Sequence, residues 1–466
     1  MQSHGVSSEF GIDPYINRPR KGPHLHLINN GLSPALAFFD EYAGDTYHKA
    51  TSFAIINVSQ EIIFNGGDMN KFITRAGVAA LATALAAWSA PAFAQVKIGV
   101  INSLSGTFAE FGKRYQSGLE VAVEEINNDG GINGESIELV IQDDASKAES
   151  ALAALESMKN QGIPLIIGTY ASSMSGPLAK LATRQKMPLI ILGSADDGIT
   201  KPGSPWVFRA KHNSNIVAHT YFDYFDSLRE RDDSLNKVAI LYANTAWPAS
   251  LAKLGQELAD ERDYEVVAYE GYNQDTTDFR PVLNKLRAEE PDILYFCSYA
   301  ADGVAIARQL KEVGLNAKVF VLDTSSSLPS FIDQVGEASE YATSAVTWNK
   351  DVQYEGGEDL AERLGEKAGG PPSFYEAEGY LNLRVAADAL SRAASMDTED
   401  VRVALEETDL QTPAGDVIFE NKDGYQNQNP IRDVIIQIQD GEHITVFPED
   451  LAAQDSRFPI PSWDER

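Results

Sequence analysis

Two short stretches of this chain end an apolar run on small, hydroxylated residues: Gly168-Thr169-Tyr170-Ala171-Ser172-Ser173 and Gly193-Ser194-Ala195. Ser172 and Ser173 stand just before a helical pattern, and the free N–H groups and positive dipole end of a helix start favour an anion. One serine also suits the N-cap of that helix, a role worth about 1 kcal/mol, and capping is compatible with ligand contact. Gly193 and Ser194 leave a strand end almost bare of side chain, so a ligand can approach the backbone. Asp323 closes the apolar run "VFVLD" and is the one acid at such a strand end in its half of the chain. It suits either a ligand cation or a cap for the following "TSSSLPS". Phe111, Tyr170, Trp247, Tyr299 and Tyr380 offer aromatic surface, and four of these five lie beyond strand ends in turn-like sequence. This is the chemistry of binding.

Catalytic signatures are missing from the same strand ends. There is no Gly-x-Gly-x-x-Gly after a strand, no phosphate loop and no Gly-x-Ser-x-Gly elbow. His212, His219 and His443 have no metal-ligand spacing, so neither a metal nor a cofactor is expected. Cys297, the only cysteine, follows a strand without a nearby activating partner and reads as a small buried residue. A lone cysteine also rules out an intrachain disulfide.

The elements that must hold these residues alternate. "VKIGVI" reads as a buried strand, followed by a helix carrying Tyr115, Leu119, Ala122, Val123 and Ile126. "ESIELVIQD", a helix over 148–159, "IPLIIGT", a helix over 177–185 and "PLIILGS" continue the pattern. It restarts with "KVAILYA", a helix over 250–262, "EVVAYEGY", a helix over 278–288, "DILYFCS", a helix over 301–313 and "AKVFVLD". Repeated βα units demand parallel sheets covered by helices, so the fold class is α/β with two doubly wound parallel-sheet lobes. Helices over 374–395 and 399–407 and short strands near 416–419, 433–438 and 443–447 are expected to complete those sheets. In open α/β sheets ligands bind beyond the carboxyl ends of the strands, and two such lobes facing each other enclose a cleft.

The chain has 38 Lys and Arg against 68 Asp and Glu, a net charge of −30. A field of that sign repels nucleic acid and anionic lipid, so neither is an expected partner. It fits either a salt-rich habitat or plain solubility. Residues 69–94 read as a signal peptide: a basic start at Met69–Arg75, an apolar stretch over 76–87, and Ala92-Phe93-Ala94 as the cleavage site before Gln95. The apolar stretch is shorter than the roughly 20 residues that span a bilayer, and no cysteine follows the cut for a lipid anchor. Residues 1–68 then read as a vector-derived leader or a translated upstream region. Periplasmic localisation follows.

"VKIGVINSLSGTFAEFGKRYQSGLEVAVEEINNDGGINGESIELVIQDDAS" resembles the opening of periplasmic solute-binding proteins of the leucine/isoleucine/valine-binding type, which serve ABC importers. The similarity continues through "IPLIIGTYASSMSGP", "DILYFCSYAADGVAIARQLKEVGL" and "EGYLNLRVAADAL". It implies the type I, Venus-flytrap arrangement: two lobes joined by three crossovers, with 95–213 and 346–431 in one lobe and 214–345 and 432–466 in the other. It further implies that Ser172, Ser194 and Ala195 hold a ligand carboxylate, that Asp323 pairs with an α-ammonium, and that Phe111, Trp247, Tyr299 and Tyr380 supply the aromatic contacts. The sequence departs from the family pattern at three places. Ala195 stands where a threonine is frequent, Asp323 where a glutamate is common, and Trp247 where a tyrosine is found; the cysteine pair some members carry near Ala145 and Ala171 is also missing.

The expected function is that of a non-enzymatic periplasmic receptor. It binds an apolar or aromatic α-amino acid between its lobes and delivers it to an ABC permease in the inner membrane. The alternative is an aromatic carboxylate or a branched-chain keto acid.

Overall fold

The structure, a computed structural model, describes residues 95–466. The leader expected over 1–68 and the signal peptide expected over 69–94 lie outside the described residues. The described chain opens with β1 (Gln95–Asn102), whose second half is buried without alternation. A strand covered by helices on both faces needs such a continuous apolar run.

After β1 come α1 (Ala109–Asn128), β2 (Ser136–Asp143), α2 (Ala148–Asn160), β3 (Ile166–Gly168), α3 (Ser172–Gln185), β4 (Leu189–Ile190) and β5 (Val207–Phe208). The five strands form one sheet in the order β2-β1-β3-β4-β5, every pair parallel. The order reverses between β1 and β3, which opens the crevice at their carboxyl ends. Helix α3 starts five residues earlier than expected and carries Pro177 in its interior. Reading that proline as a helix start misplaced the boundary.

The chain then passes to a second sheet. Its elements are α4 (Ser214–Arg229), β6 (Lys237–Ala243), α5 (Ala246–Glu261), β7 (Glu265–Tyr272), α6 (Arg280–Ala288), β8 (Ile293–Ser298), α7 (Ala300–Val313), β9 (Val319–Thr324), α8 (Pro329–Val335) and β10 (Ala342–Val346). Helices α9 (Gly357–Ala368), α10 (Phe374–Arg392) and α11 (Thr398–Glu406) follow. Next come β11 (Asp409–Leu410), β12 (Val417–Ile418), β13 (Glu420–Lys422), β14 (Tyr425–Gln428), β15 (Val434–Gln439) and β16 (Glu442–Phe447).

The second sheet has seven strands in the order β16-β15-β10-β9-β8-β6-β7. β15 and β16 join it antiparallel, so it is mixed and not purely parallel. The strand expected near 416–419 completes neither sheet: β12 pairs only with β11, and β13 only with β14. The chain thus crosses between sheets three times, after β5, after β10 and after β14.

Helix α10 returns to pack on α1 beside the first sheet. Glycines allow an unusually close approach. A Cβ on Gly118 would stand 1.8 Å from the Glu376 carbonyl oxygen, and one on Gly379 would stand 2.3 Å from that of Tyr115. No side chain fits there, so the two backbones meet directly. Helix α10 is fixed at its start as well. The Glu376 carboxylate accepts from the Ser373 N–H at 3.0 Å and from Arg114 at 2.8 Å. This crossing decides which face of α10 looks toward the space between the sheets.

Candidate functional site

The carboxyl ends of both sheets border one narrow cleft. Of the residues singled out in the sequence, Tyr170, Ser172, Gly193, Ser194, Ala195, Trp247, Tyr299 and Asp323 line it. Contacts cross it from one sheet's elements to the other's. The Phe108 and Tyr299 rings lie 5.1 Å apart, and Tyr375 Oη donates to the Thr324 carbonyl oxygen at 3.3 Å.

The first wall is built mostly of main chain. Ser172 opens α3, and its Oγ accepts from the Asp196 N–H at 3.2 Å, so its own proton remains to be donated. Ser194 is different: its hydroxyl donates to the Tyr170 carbonyl oxygen at 2.7 Å and is turned inward. Its contribution to the cleft is therefore its N–H and not its hydroxyl. The N–H groups of Ser194 and Ala195 have no partner among the described residues. With the free N–H groups at the start of α3, they make an anion-binding concavity. Gly193 is required for shape, since a Cβ there would sit 2.7 Å from Tyr170 Cδ2 and 3.0 Å from the Tyr115 ring.

The second wall is built of side chains. Asp323 is the last residue but one of β9, with 3 % exposure. Its carboxylate accepts from the hydroxyls of Tyr221 and of Ser344, the latter at 3.2 Å, while Thr324 stands at 3.5 Å. No cation is paired with it among the described residues. Burial pushes its pKa above the ordinary carboxylate value, opposed by the Tyr221 hydrogen bond and by the nearby His212. Thr324 follows in a left-handed conformation, φ +68°, which is unfavourable for a β-branched residue and marks local strain beside Asp323. Trp247 and Tyr299 pack at 5.4 Å between ring centroids. Trp247 lies in the first turn of α5, because that helix starts four residues before its expected boundary.

Three of the singled-out residues stand elsewhere. Phe111 does not line the cleft but stacks on Tyr170 at 4.5 Å, bracing it from behind. Ser173 is exposed, one residue round α3 from Ser172. Tyr380 is turned away: its hydroxyl donates to Glu125 at 2.7 Å. Tyr375 from the same helix takes the cleft position instead, with Phe374 beside it.

The structure also brings in residues the sequence analysis missed. Lys211 and His212 line the cleft, as do Thr324 and Ala345. Lys211 Nζ lies 3.0 Å from Glu378 Oε2 in a fully buried pair, and Tyr115 and Thr347 also donate to that carboxylate. This pair is neutral overall. His212 Nδ1 lies 2.8 Å from Asp433. A signal existed, because Arg209, Lys211 and His212 come just after the apolar "WVF", but β5 is only two residues long and gives no period to recognise.

Cys297 is buried beneath the site, and burial raises its thiol well above the ordinary value. A protonated, enclosed thiol is no nucleophile. No cluster of three His, Cys, Asp or Glu side chains placed to hold a metal occurs among the described residues. No described helix is long and apolar enough to cross a membrane.

Residues 95–441 match the family model described as periplasmic binding protein. Among curated proteins, the chain is 27% identical over 393 residues to Leu/Ile/Val-binding protein homolog 7 of Brucella abortus, covering 82% of this chain and 98% of the relative. Among solved structures, a leucine-binding protein from Thermotoga maritima has the same fold. Its TM-score is 0.69 at 22% identity, over 76% of this chain and 100% of that one. A solute-binding protein of an ABC transporter from Rhodopseudomonas palustris, solved with 3,4-dihydroxybenzoic acid, gives a TM-score of 0.67 at 19% identity, over 78% of this chain and 98% of that one.

Proposed function

This chain belongs to the type I periplasmic binding protein family, and from that premise we propose that it is an ABC-importer receptor for an α-amino acid with an apolar or aromatic side chain. The observation that carries the reading is the opposition of the two walls. Unpartnered N–H groups at Ser194 and Ala195 and the free proton of Ser172 suit a carboxylate. Asp323, buried opposite them with hydroxyls but no cation among the described residues, suits an ammonium. A buried charge is costly until it is paired, so a zwitterion answers both walls at once. The rings of Tyr170, Trp247, Tyr299, Phe374 and Tyr375 suit an apolar or aromatic side chain.

A solute touching both walls stabilises the closed form, and the permease recognises that form. In this reading 95–213 with 346–431 and 214–345 with 432–466 are the two jaws. The mature protein starts at Gln95 after removal of residues 69–94 on export to the periplasm. The name of the Brucella abortus relative supports an aliphatic amino acid.

The test is calorimetric titration of leucine and phenylalanine into the wild type and Asp323→Asn. Loss of the charge partner should cost about 2 to 5 kcal/mol of binding free energy. Undiminished affinity in the variant would remove the ammonium from the proposal. A second reading has its own support: the Rhodopseudomonas palustris neighbour was solved with an aromatic acid, and the cleft holds five rings and a buried lysine. Tight binding of benzoates, indifferent to Asp323, would favour it.

A further inference from the structure

The carbonyl oxygens of four consecutive residues after β4 are all held by donors from one segment, the first passage between the sheets. Lys211 Nζ donates to Gly193 O at 3.1 Å. Arg209 Nη1 donates to Ser194 O at 3.4 Å and to Asp196 O at 2.8 Å. Ser214 donates to Ala195 O through its N–H at 2.7 Å and its hydroxyl at 3.0 Å. These peptides are trans, so each C=O points opposite to the N–H that follows it. Drawing the carbonyls of 193 and 194 toward 209–214 therefore turns the N–H groups of Ser194 and Ala195 the other way, where they have no partner among the described residues.

The same segment runs on into α4. Two helical turns past Ser214, the Tyr221 hydroxyl donates to Asp323 Oδ1 and accepts from the Ala345 N–H at 2.8 Å. One rigid stretch thus grips the backbone of the anion site with its start and the carboxylate of the cation site with its helix. Arg209, Ser214 and Tyr221 do not themselves border the cleft.

We infer that residues 209–221 are a ruler for the solute: Arg209, Lys211 and Ser214 are positioning residues of the carboxylate end, Tyr221 of the ammonium end, and together they set the separation of the two charges. The inference rests on the amino-acid reading above. It selects solutes whose charges are one carbon apart over β-amino acids, whose charges are further separated.

The test titrates leucine and phenylalanine, each with its amide and its deamino acid, into the wild type, Ser214→Ala and Tyr221→Phe. Ser214→Ala should weaken the amino acid and the deamino acid about 5-fold and leave the amide within about 2-fold, because only the carboxylate end is disturbed. Tyr221→Phe should weaken the amino acid and the amide about 10-fold and spare the deamino acid. Equal losses for all three solutes, or no loss, overturn the inference. Ser214→Ala keeps the main-chain donor to Ala195 and Tyr221→Phe keeps the packed ring. Should either fail to fold, Lys211→Gln/Glu378→Gln removes the buried pair as a unit, and the inference expects from it the same carboxylate-selective loss. The parent reading is judged on the wild type alone. If the deamino acid binds as tightly as the amino acid, the amino-acid assignment falls and the charge separation with it, while the Ser214 arm still tests the positioning of the carboxylate end; if no solute binds, both fall.

Discussion

On the first wall of the cleft the groups that suit a solute's charge are main-chain N–H groups, at Ser194, Ala195 and the start of α3, with one serine hydroxyl among them, beside the rings of Tyr170, Phe374 and Tyr375. On the second wall they are side chains: a buried carboxylate and two packed rings. The difference follows from the strand ends. β3 ends on Gly168 and β4 leads into Gly193 and Ser194, which expose backbone, while β8 is followed by Tyr299 and β9 carries Asp323 next to its last residue. A wall of amides holds an anion whatever the neighbouring side chains are, and it can be altered only by moving the chain. A wall of side chains can be altered one group at a time. Recognition of charge therefore rests on backbone at the first wall and on one side chain at the second, and rings come from both.

The sharpest way to break that contrast is to force the backbone wall out of place. Gly193→Val puts a branched side chain against Tyr170, which is stacked on Phe111 and cannot retreat. Overpacking should cost about 1 to 3 kcal/mol of stability. Binding of every carboxylate solute should disappear in calorimetry, and a variant that still binds normally would show that the 193–195 backbone is not the anion site.

A smaller effect separates function from stability on the second wall. Asp323 has its pKa raised by burial, so the folded protein takes up that proton more readily than the unfolded chain does. Stability is then lost as pH rises from the ordinary value of 3.8 through the raised one. Asp323→Asn removes that loss. The unliganded variant should melt above the wild type near neutral pH, by about 2 °C for each 1 kcal/mol recovered, with the gap closing toward pH 4. Solute affinity runs the other way: an ammonium needs the ionised carboxylate, so wild-type affinity should fall as pH falls. A thermal scan between pH 4 and 8 in which the variant melts lower throughout would contradict the burial account.

The smallest effect marks the edge of the site. Tyr380→Phe deletes a hydroxyl bonded to Glu125 on the far side of α10, so solute affinity should stay within about 2-fold of the wild type. A larger loss by titration would place Tyr380 in the binding machinery after all.

Why Tyr380 was read in and Tyr375 left out is a matter of helix geometry. The sequence marks a helix from 374 onward, but five residues along a helix turn it by about 140°, and apolar residues lie all round this one. Which face meets the cleft is set by the glycine crossing with α1, whose contact pairs are 258 to 264 residues apart in the chain. Lys211 escaped because β5, the strand that precedes it, is too short to show a period. Asp323 and Gly193 stand out in the sequence because each comes at the end of an apolar run, and Ser172 because a helical pattern follows it.

The sequence by itself determined the alternation of strands and helices and the residues at the strand ends, since periodicity and chain breaks are local properties that need no partner. Only the tertiary structure decided that β15 and β16 join the second sheet antiparallel, that the Ser194 hydroxyl turns inward, and that Lys211 pairs with Glu378. Those outcomes depend on which distant groups satisfy a buried charge or hydrogen bond, and a linear pattern carries no record of that competition.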